Sequence, residues 1–301
     1  MIIHLLSDEV KEMVTIFTDT DTDITPVQAK EYGYKLISMP YSVDGKTVFP
    51  YEDFETFDAH DFYQMLRLGT IPSTSAISRE RYIEYFEPEF AAGNDIFYVH
   101  FSRAMTATFD AMDEAVSALK EKYPERKFYE VDTKGITIVS LNIVLEIGDM
   151  FKAGKTPEEV LAWAETEIDK FAVYFFADDL KFFAKSGRVS GIAGTMGSIL
   201  GIRPIIYMDS NGKMVNIGKE TGRNKAINKL ISYVDELGED LYNHRVIVGH
   251  ADAPQIAEKI ITILKDKYGD KLNIVKADVN PTAGSHCGPD TVGICFHAAH
   301  R

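Results

Sequence analysis

The feature that most constrains the fold is a regular alternation of short apolar runs with longer amphipathic segments. Residues 14–18, 95–101 and 127–131 are short runs rich in β-branched and aromatic residues, which is typical of buried strands. The segments between them carry apolar residues at spacings of three and four, as in residues 57–68, which indicates helices. Strands separated by helices favour a parallel sheet covered by helices, so the sequence predicts an α/β fold.

Turn residues and prolines set the other predicted boundaries. Asp44-Gly45 lies between the strand-like runs 36–43 and 46–48 and is typical of a β-hairpin turn. Pro88 predicts the end of a helix over 78–86. The remaining predicted helices are 106–121, 139–152, 157–170, 190–200, 221–237 and 254–268, and the remaining predicted strands are 171–177, 202–208, 213–218, 245–249, 272–276 and 292–297.

Two domains are expected because a chain of 301 residues exceeds the size at which one core usually stops growing. Thr156 followed by Pro157 is typical of a helix start, and Gly154 is suited to end the preceding helix. We therefore expect an N-terminal, Rossmann-like parallel-sheet domain at residues 1–155 and a C-terminal α/β domain at residues 156–301.

The charge and cysteine content exclude several classes of function. Acidic residues number 46 and basic residues 32, a formal net charge of −14, so the chain is a poor general binder of nucleic acid. Cys287 and Cys295 are the only cysteines, too few for a disulfide framework or a zinc site, which favours the cytoplasm. No run of about 18 apolar residues occurs, so we expect no transmembrane helix. The acidic first residues are interpreted as a short extension rather than a secretory signal.

Residues 18–25, Thr-Asp-Thr-Asp-Thr-Asp-Ile-Thr, admit more than one interpretation. Asp21 to Thr25 matches the Asp-x-Asp-x-Thr string of haloacid-dehalogenase-like phosphatases, which use Mg²⁺. The register is unfavourable, because Asp19 directly follows the strand and the fifth residue from it is Asp23. The alternative is a polar turn at the carboxyl end of a parallel strand, where open α/β sheets bind ligands.

Two hydroxyl-rich segments each precede a predicted helix. Residues 72–78 include Thr74 and Ser75, and residues 102–108 include Thr106 and Thr108. Such residues commonly cap helices, but a helix start with added hydroxyls also suits one carboxylate or phosphate. Because both segments follow strands of one predicted sheet, they can face a single anionic ligand.

Three further segments suggest contact with a ligand. His286 lies in a predicted tight loop between Gly284 and Gly288, which leave room around the backbone, although a lone histidine is more often structural. Arg188 in Lys-Ser-Gly-Arg is a natural carboxylate partner, although it also suits a surface turn. Residues 192–202 are apolar and rich in small residues, which indicates close approach of a helix or a ligand chain.

These segments, in this order, resemble the DegV family, which includes the fatty-acid-binding B subunits of bacterial fatty acid kinase. The resemblance extends over nearly the whole chain from about residue 13. The segments that carry it are Thr18-Asp19-Thr20, Thr74-Ser75 with Ser78, Met105-Thr106-Ala107-Thr108-Phe109, Ser186-Gly187-Arg188, Arg203-Pro204-Ile205 and Gly284 to Pro289.

The resemblance implies a two-domain α/β protein that holds a long-chain, palmitate-like fatty acid between its domains. Thr74 and Thr106 would bind the carboxylate, His286 would join directly or through water, and Arg188 would stand near the head group. It further implies a non-catalytic cytoplasmic protein without cofactor or metal that presents the carboxylate to a separate ATP-dependent fatty acid kinase, with transient membrane contact. The other residues expected at the site are Ser75, Thr108, Asp19, Thr20, Gly284 and Gly288.

The sequence departs from the family pattern at positions near the expected head group. Thr106 adds a methyl group where the family has serine, and Ala107 replaces glycine, so the pocket should be narrower. Asp290 adds a negative charge after the histidine motif, and we expect it to raise the pKa of His286 or to repel the carboxylate. Residues 221–225 carry fewer basic side chains than is usual in kinase-linked members. A phosphatase and a binder of another small anionic lipid remain the alternatives.

Overall fold

The computed structural model describes residues 13–190 and 201–301. The strands of this part of the chain are β1 (Val14–Asp19), β2 (Lys35–Ile37), β3 (Tyr41–Val43), β4 (Lys46–Val48), β5 (Ser73–Thr74), β6 (Asp95–His100), β7 (Phe128–Asp132), β8 (Phe171–Phe176), β9 (Val189–Ser190), β10 (Ile202–Met208), β11 (Met214–Thr221), β12 (Val246–His250), β13 (Ile274–Asp278) and β14 (Val292–His297). Its α-helices are α1 (Pro26–Tyr32), α2 (Ala59–Arg67), α3 (Arg79–Ala91), α4 (Thr108–Lys122), α5 (Ile138–Lys152), α6 (Pro157–Glu167), α7 (Lys181–Ser186), α8 (Arg223–Leu237), α9 (Pro254–Tyr268) and α10 (Pro281–Cys287).

The N-terminal half forms a four-stranded parallel sheet in the order β2-β1-β6-β7. Every residue of β6 is buried, as expected for a strand with helices on both faces. The parallel α/β sheet predicted from the alternation of strands and helices is therefore confirmed. Its carboxyl-terminal edge carries the aspartate-rich turn after β1 and the hydroxyl-rich segment after β6.

A seven-stranded mixed sheet forms the second layer, in the order β13-β12-β14-β8-β10-β11-β9. The pairs β12–β13 and β9–β11 are parallel, and the other neighbours are antiparallel. A third, small antiparallel sheet has the order β4-β3-β5. Asp44 (φ 51°) and Gly45 (φ 77°) join β3 to β4, so the predicted hairpin is confirmed.

Helix α5 lies between the two large sheets. Its first eight residues, from Ile138 to Leu145, are all buried, as a helix enclosed on several sides requires. It packs on β8, β12 and β14, and one hydrophobic cluster contains both Phe97 of the parallel sheet and Phe171 of the mixed sheet. The domain boundary near residue 155 stays a prediction. In the described ranges 13–190 and 201–301, no helix is long and apolar enough to cross a membrane.

Several predicted boundaries are wrong, each for a local reason. Pro88 lies inside α3, because the buried Phe86 and Phe90 on either side of it pack into one apolar cluster and hold the helix together. The predicted strand 36–43 divides into β2 and β3, since Pro40 between them cannot donate to a ladder. Helices α1, α7 and α10 were not predicted. The predicted helix 190–200 and most of the small-residue run 192–202 lie outside the described residues.

Candidate functional site

The turn after β1 supports the edge of the parallel sheet. The Asp19 carboxylate accepts hydrogen bonds from the amide of Asp21 at 3.0 Å, the hydroxyl of Tyr98 at 3.2 Å and the amide of Phe101 at 3.2 Å. Thr20 accepts from the amide of Met39 at 2.9 Å. Burial raises the pKa of Asp19 to about 7. The side chains of Asp19 and Thr20 therefore accept hydrogen bonds from the protein itself. The interpretation of this segment as a polar turn fits the structure.

The other two aspartates of the turn are also buried. Asp23 Oδ1 accepts from the backbone amide and the side-chain amide of Asn280, at 2.9 Å and 2.7 Å, and so joins the turn to α10. Burial raises the pKa of Asp23 to about 8. Among the residues that the structure describes, no group of three or more His, Cys, Asp or Glu side chains is placed to hold a metal ion. The phosphatase alternative therefore has no support in the geometry of the aspartates.

A polar pocket of about 510 Å³ lies above this turn. Three elements bring Thr74 (β5), Thr106 (before α4) and His286 (α10) to its wall, and Thr74 Oγ1 lies 2.8 Å from His286 Nε2. Six residues singled out in the sequence meet here, although they come from four separate segments. The described lining residues are Asp21, Met39, Thr74, Ser75, Ala76, Phe101, Met105, Thr106, Thr108, Ile136, Arg188, Thr282 and His286.

His286 is a neutral member of this wall. Burial, together with the nearby Arg188 cation, lowers the pKa of His286 to about 4. The expectation that Asp290 raises this pKa is wrong. The Asp290 carboxylate instead pairs with Arg67 at 3.2 Å and with Arg223 at 3.6 Å, so its charge is already compensated.

The threonines of the second hydroxyl segment differ in their surroundings. Thr106 Oγ1 accepts a hydrogen bond from the amide of Thr108 at 3.1 Å. Its hydroxyl proton is still available to donate to another acceptor. Thr108 is buried, and its Oγ1 accepts from the amide of Ile77 at 3.1 Å, so it braces the wall. Ser75 and Arg188 are exposed and stand at the rim of the pocket.

The glycines around His286 permit close packing. The segment predicted as a tight loop is instead the short helix α10, followed by Gly288 at φ 72°. A Cβ on Gly284 would lie 2.4 Å from Tyr63 Oη, and one on Gly288 would lie 2.2 Å from the ring of Phe182. Glycine is therefore required at both positions because an aromatic side chain occupies the space, and these contacts hold α10 in place.

An apolar cavity of about 630 Å³ adjoins the polar pocket. The two share Met105, Ile136, Arg188 and His286 among their lining residues. These apolar walls are not apparent in the sequence, because separate strands, helices and loops each contribute only one to three residues to them. The other described lining residues are Thr137, Ile138, Val173, Phe175, Phe183, Met208, Met214, Gly249, Val279, Ala283, Cys287, Thr291 and Gly293.

Comparison with known proteins places this geometry in a family. The DegV family model, described as "Uncharacterised protein, DegV family", matches residues 13–299. The chain belongs to the DegV family. The resemblance seen in the sequence motifs is thereby confirmed. A DegV domain-containing protein of Clostridium perfringens is similar at 29% identity over 281 residues, which cover 93% of this chain and 96% of that protein.

Solved structures of DegV proteins share the two-domain α/β fold. A stearic-acid-binding protein from Eubacterium ventriosum superposes with a TM-score of 0.84 at 19% identity and covers 95% of this chain and 98% of its own. A DegV protein from Eubacterium eligens, loaded with heptadecanoic acid, superposes with a TM-score of 0.81 at 21% identity and covers 95% and 99%. At these identities the likeness shows the fold, and the acids are ligands of those proteins.

Proposed function

We propose that this DegV protein binds one long-chain fatty acid, with the carboxylate in the polar pocket and the acyl chain in the adjoining apolar cavity. The observation that carries the proposal is that the two spaces adjoin and share Met105, Ile136, Arg188 and His286 in their walls. A ligand that fits both must have a small polar end and a long apolar end. DegV relatives that carry stearic or heptadecanoic acid support this choice of ligand.

The apolar cavity supplies the favourable free energy. Burial of a methylene group contributes ~0.8 kcal/mol, so about 14 methylenes contribute on the order of 11 kcal/mol before the loss of ligand freedom is subtracted. Val173, Phe175 and Met208 in the cavity wall offer the ligand hydrocarbon surface. The space of about 630 Å³ between these walls is open in part to solvent.

The polar pocket orients the acid. A buried carboxylate requires hydrogen-bond donors, and the hydroxyls of Thr74 and Thr106 provide them when the imidazole of His286 donates to Thr74 Oγ1. Arg188 at the rim adds a positive charge near the opening. The added methyl group of Thr106 narrows the pocket and favours a head group no larger than a carboxylate.

The family resemblance further leads us to propose that the protein does no chemistry itself and presents the carboxylate to a separate ATP-dependent fatty acid kinase. The exposed positions of Ser75 and Arg188 support this, because they place the rim of the pocket at the surface, close to a carboxylate held by Thr74 and Thr106. Incubation of the loaded protein with such a kinase, ATP and hydroxylamine should yield the acyl hydroxamate. If the loaded protein yields no more hydroxamate than the kinase alone, the proposed role of the kinase is refuted.

The ligand itself is tested by denaturing extraction of the purified protein and mass spectrometry. We expect one dominant long-chain fatty acid in near-stoichiometric amount. A different anionic lipid in the extract would assign the site to that lipid. An extract without lipid, together with no binding of added fatty acid, would refute the proposal.

The position of the head group is tested with Thr106→Val, which removes a hydroxyl and keeps the shape of the side chain. A hydrogen bond to a charged group contributes roughly 1.5–3 kcal/mol, so affinity for a 16-carbon acid should fall at least about tenfold. Thr262→Val is the matched control, since Thr262 is exposed on α9 and its hydroxyl donates to the carbonyl of Glu258. If the two variants bind the acid with equal affinity, the head group does not bind at Thr106.

A further inference from the structure

Asp21 is the one acidic side chain among the described residues of the polar pocket, and it has no evident structural task. It is 4% exposed, and its Oδ1 is fully buried without a hydrogen-bond partner. Its backbone is held on both sides, because its amide donates to Asp19 and its carbonyl accepts from the amide of Thr137 at 2.8 Å. The carboxyl group is thus held at the wall of the pocket with one oxygen unsatisfied, and it lines the space in which the proposed ligand places its head group.

The surroundings favour the neutral form of this carboxyl group. The charged groups that act on Asp21 are Asp19 and Asp23 of the same turn. Burial, together with the negative charges of these two residues, raises the pKa of Asp21 well above its usual range. Asp19 has three donors and Asp23 has two, whereas Asp21 Oδ1 has none. Of the three carboxyl groups, Asp21 is therefore the last to lose its proton.

The elements that face Asp21 across the pocket do not reverse this order. His286 of α10 is neutral at physiological pH, because burial lowers its pKa to about 4. Arg188, before β9, is exposed at the rim and donates to the carbonyl of Ser186 at 2.6 Å. The remaining described residues of this pocket carry hydroxyl or apolar side chains.

We propose that protonated Asp21 donates a hydrogen bond to the carboxylate of the bound fatty acid, so that one proton is shared between two carboxyl groups. This inference rests on the proposed function. A hydrogen bond from a carboxylic acid to a carboxylate is short and strong, and it satisfies the orphaned side chain without a cation. It makes Asp21 a determinant of head-group selectivity, because the shared proton is lost as the pH rises and two like charges then face each other.

The binding test compares the wild type with Asp21→Asn and Asp23→Asn from pH 6.5 to pH 9, with the same 16-carbon acid. Titration of the ligand is common to all three proteins and cancels. Asparagine at position 21 keeps a donor and removes the titration, so its affinity should stay within about threefold. Wild-type affinity should fall about tenfold for each pH unit above the pKa of Asp21. Asp23→Asn removes one of the negative charges that raise the pKa of Asp21, so its affinity should begin to fall at a lower pH than that of the wild type.

A second readout does not depend on any variant. The ¹³Cγ resonance of Asp21 in the wild-type protein reports its protonation directly, with and without the fatty acid. We expect a protonated carboxyl group at pH 7 in the ligand-free protein and a further shift when the acid binds. An ionised Asp21 at pH 7 in both forms would overturn the inference and leave the proposed function standing, as would equal pH slopes for the wild type and Asp21→Asn. Absence of fatty-acid binding in every protein would instead refute the proposed function and this inference with it.

Discussion

The polar pocket and the apolar cavity share four lining residues, yet they are built in different ways. The polar wall comes from the ends of strands and the starts of helices, where Thr74, Thr106 and Asp21 leave their elements. The apolar wall comes largely from strand interiors and α10, as with Val173, Phe175 and Ala283. Strand ends leave side-chain and backbone donors unpaired, whereas strand interiors offer only side chains that alternate in direction.

Because of this difference, the two spaces contribute differently to ligand binding. The apolar cavity sets how strongly a long chain binds, since its contribution scales with buried area. The polar pocket sets which head group is accepted, and burial there favours neutral groups, because it lowers the pKa of His286 to about 4 and raises the pKa of Asp21. The effect of a substitution in the apolar cavity on fatty-acid affinity should therefore depend on the length of the acyl chain. The effect of a substitution in the polar pocket should not.

The largest effect is expected from Ala283→Phe, which places a ring in the apolar cavity. If the ring displaces about four methylenes, about 3 kcal/mol is lost, and affinity for a 16-carbon acid should fall roughly 100-fold. An 8-carbon acid, measured in the same displacement assay, should lose much less, and circular dichroism should show the native fold. An equal loss at both lengths would mean that the chain does not enter this cavity.

A smaller effect is expected from Thr74→Val, which removes a donor to the carboxylate and the partner of His286. Affinity should fall about tenfold at every chain length, because a hydrogen bond to a charged group is lost. Thr47→Val is a matched control in the same small sheet, where Thr47 is exposed and pairs only with Ser42 at 3.0 Å. A loss that grows with chain length would show that the two spaces are not separate in function.

The charge state of the pocket also affects stability. The folded-state pKa of Asp21 is raised above 3.8, so its contribution to stability is complete below that pH and is lost as the pH rises through the folded pKa. Asp21→Asn lacks this dependence. In urea titrations, the free energy of unfolding of the wild type should therefore fall relative to Asp21→Asn as the pH rises from 4, by up to about 1.4 kcal/mol per pH unit. A constant difference between pH 4 and pH 8 would contradict a neutral Asp21.

The smallest effect concerns His286. Because its pKa is lowered to about 4, its imidazole should stay neutral from pH 7 down to about pH 5, where a free histidine becomes charged. The ¹⁵N shifts of His286 should therefore change only near pH 4, and its protonation should not alter fatty-acid affinity above pH 5. A midpoint near 6.5 would place His286 in contact with solvent or with a negative charge.

The sequence analysis was most successful where a local pattern determines a local structure. The hairpin at Asp44-Gly45 and the parallel sheet followed from turn chemistry and from the alternation of strands and helices, and the motifs indicated the family. Around His286 the local pattern was misleading. Glycines at 284 and 288 suggested a loop, whereas they are required by Tyr63 and Phe182, which pack against a short helix from distant positions in the chain.

What the sequence determined by itself is the set of chemical groups available and the periodicity that places them at strand ends or in the core. The tertiary structure alone decided which of these groups meet. Asp290 lies four residues from His286 in sequence, yet its charge is taken up by Arg67 and Arg223, while Asp21, more than 250 residues away, shares the pocket of His286. Electrostatic and apolar contacts depend on distance in space and on burial, and neither is a function of separation along the chain.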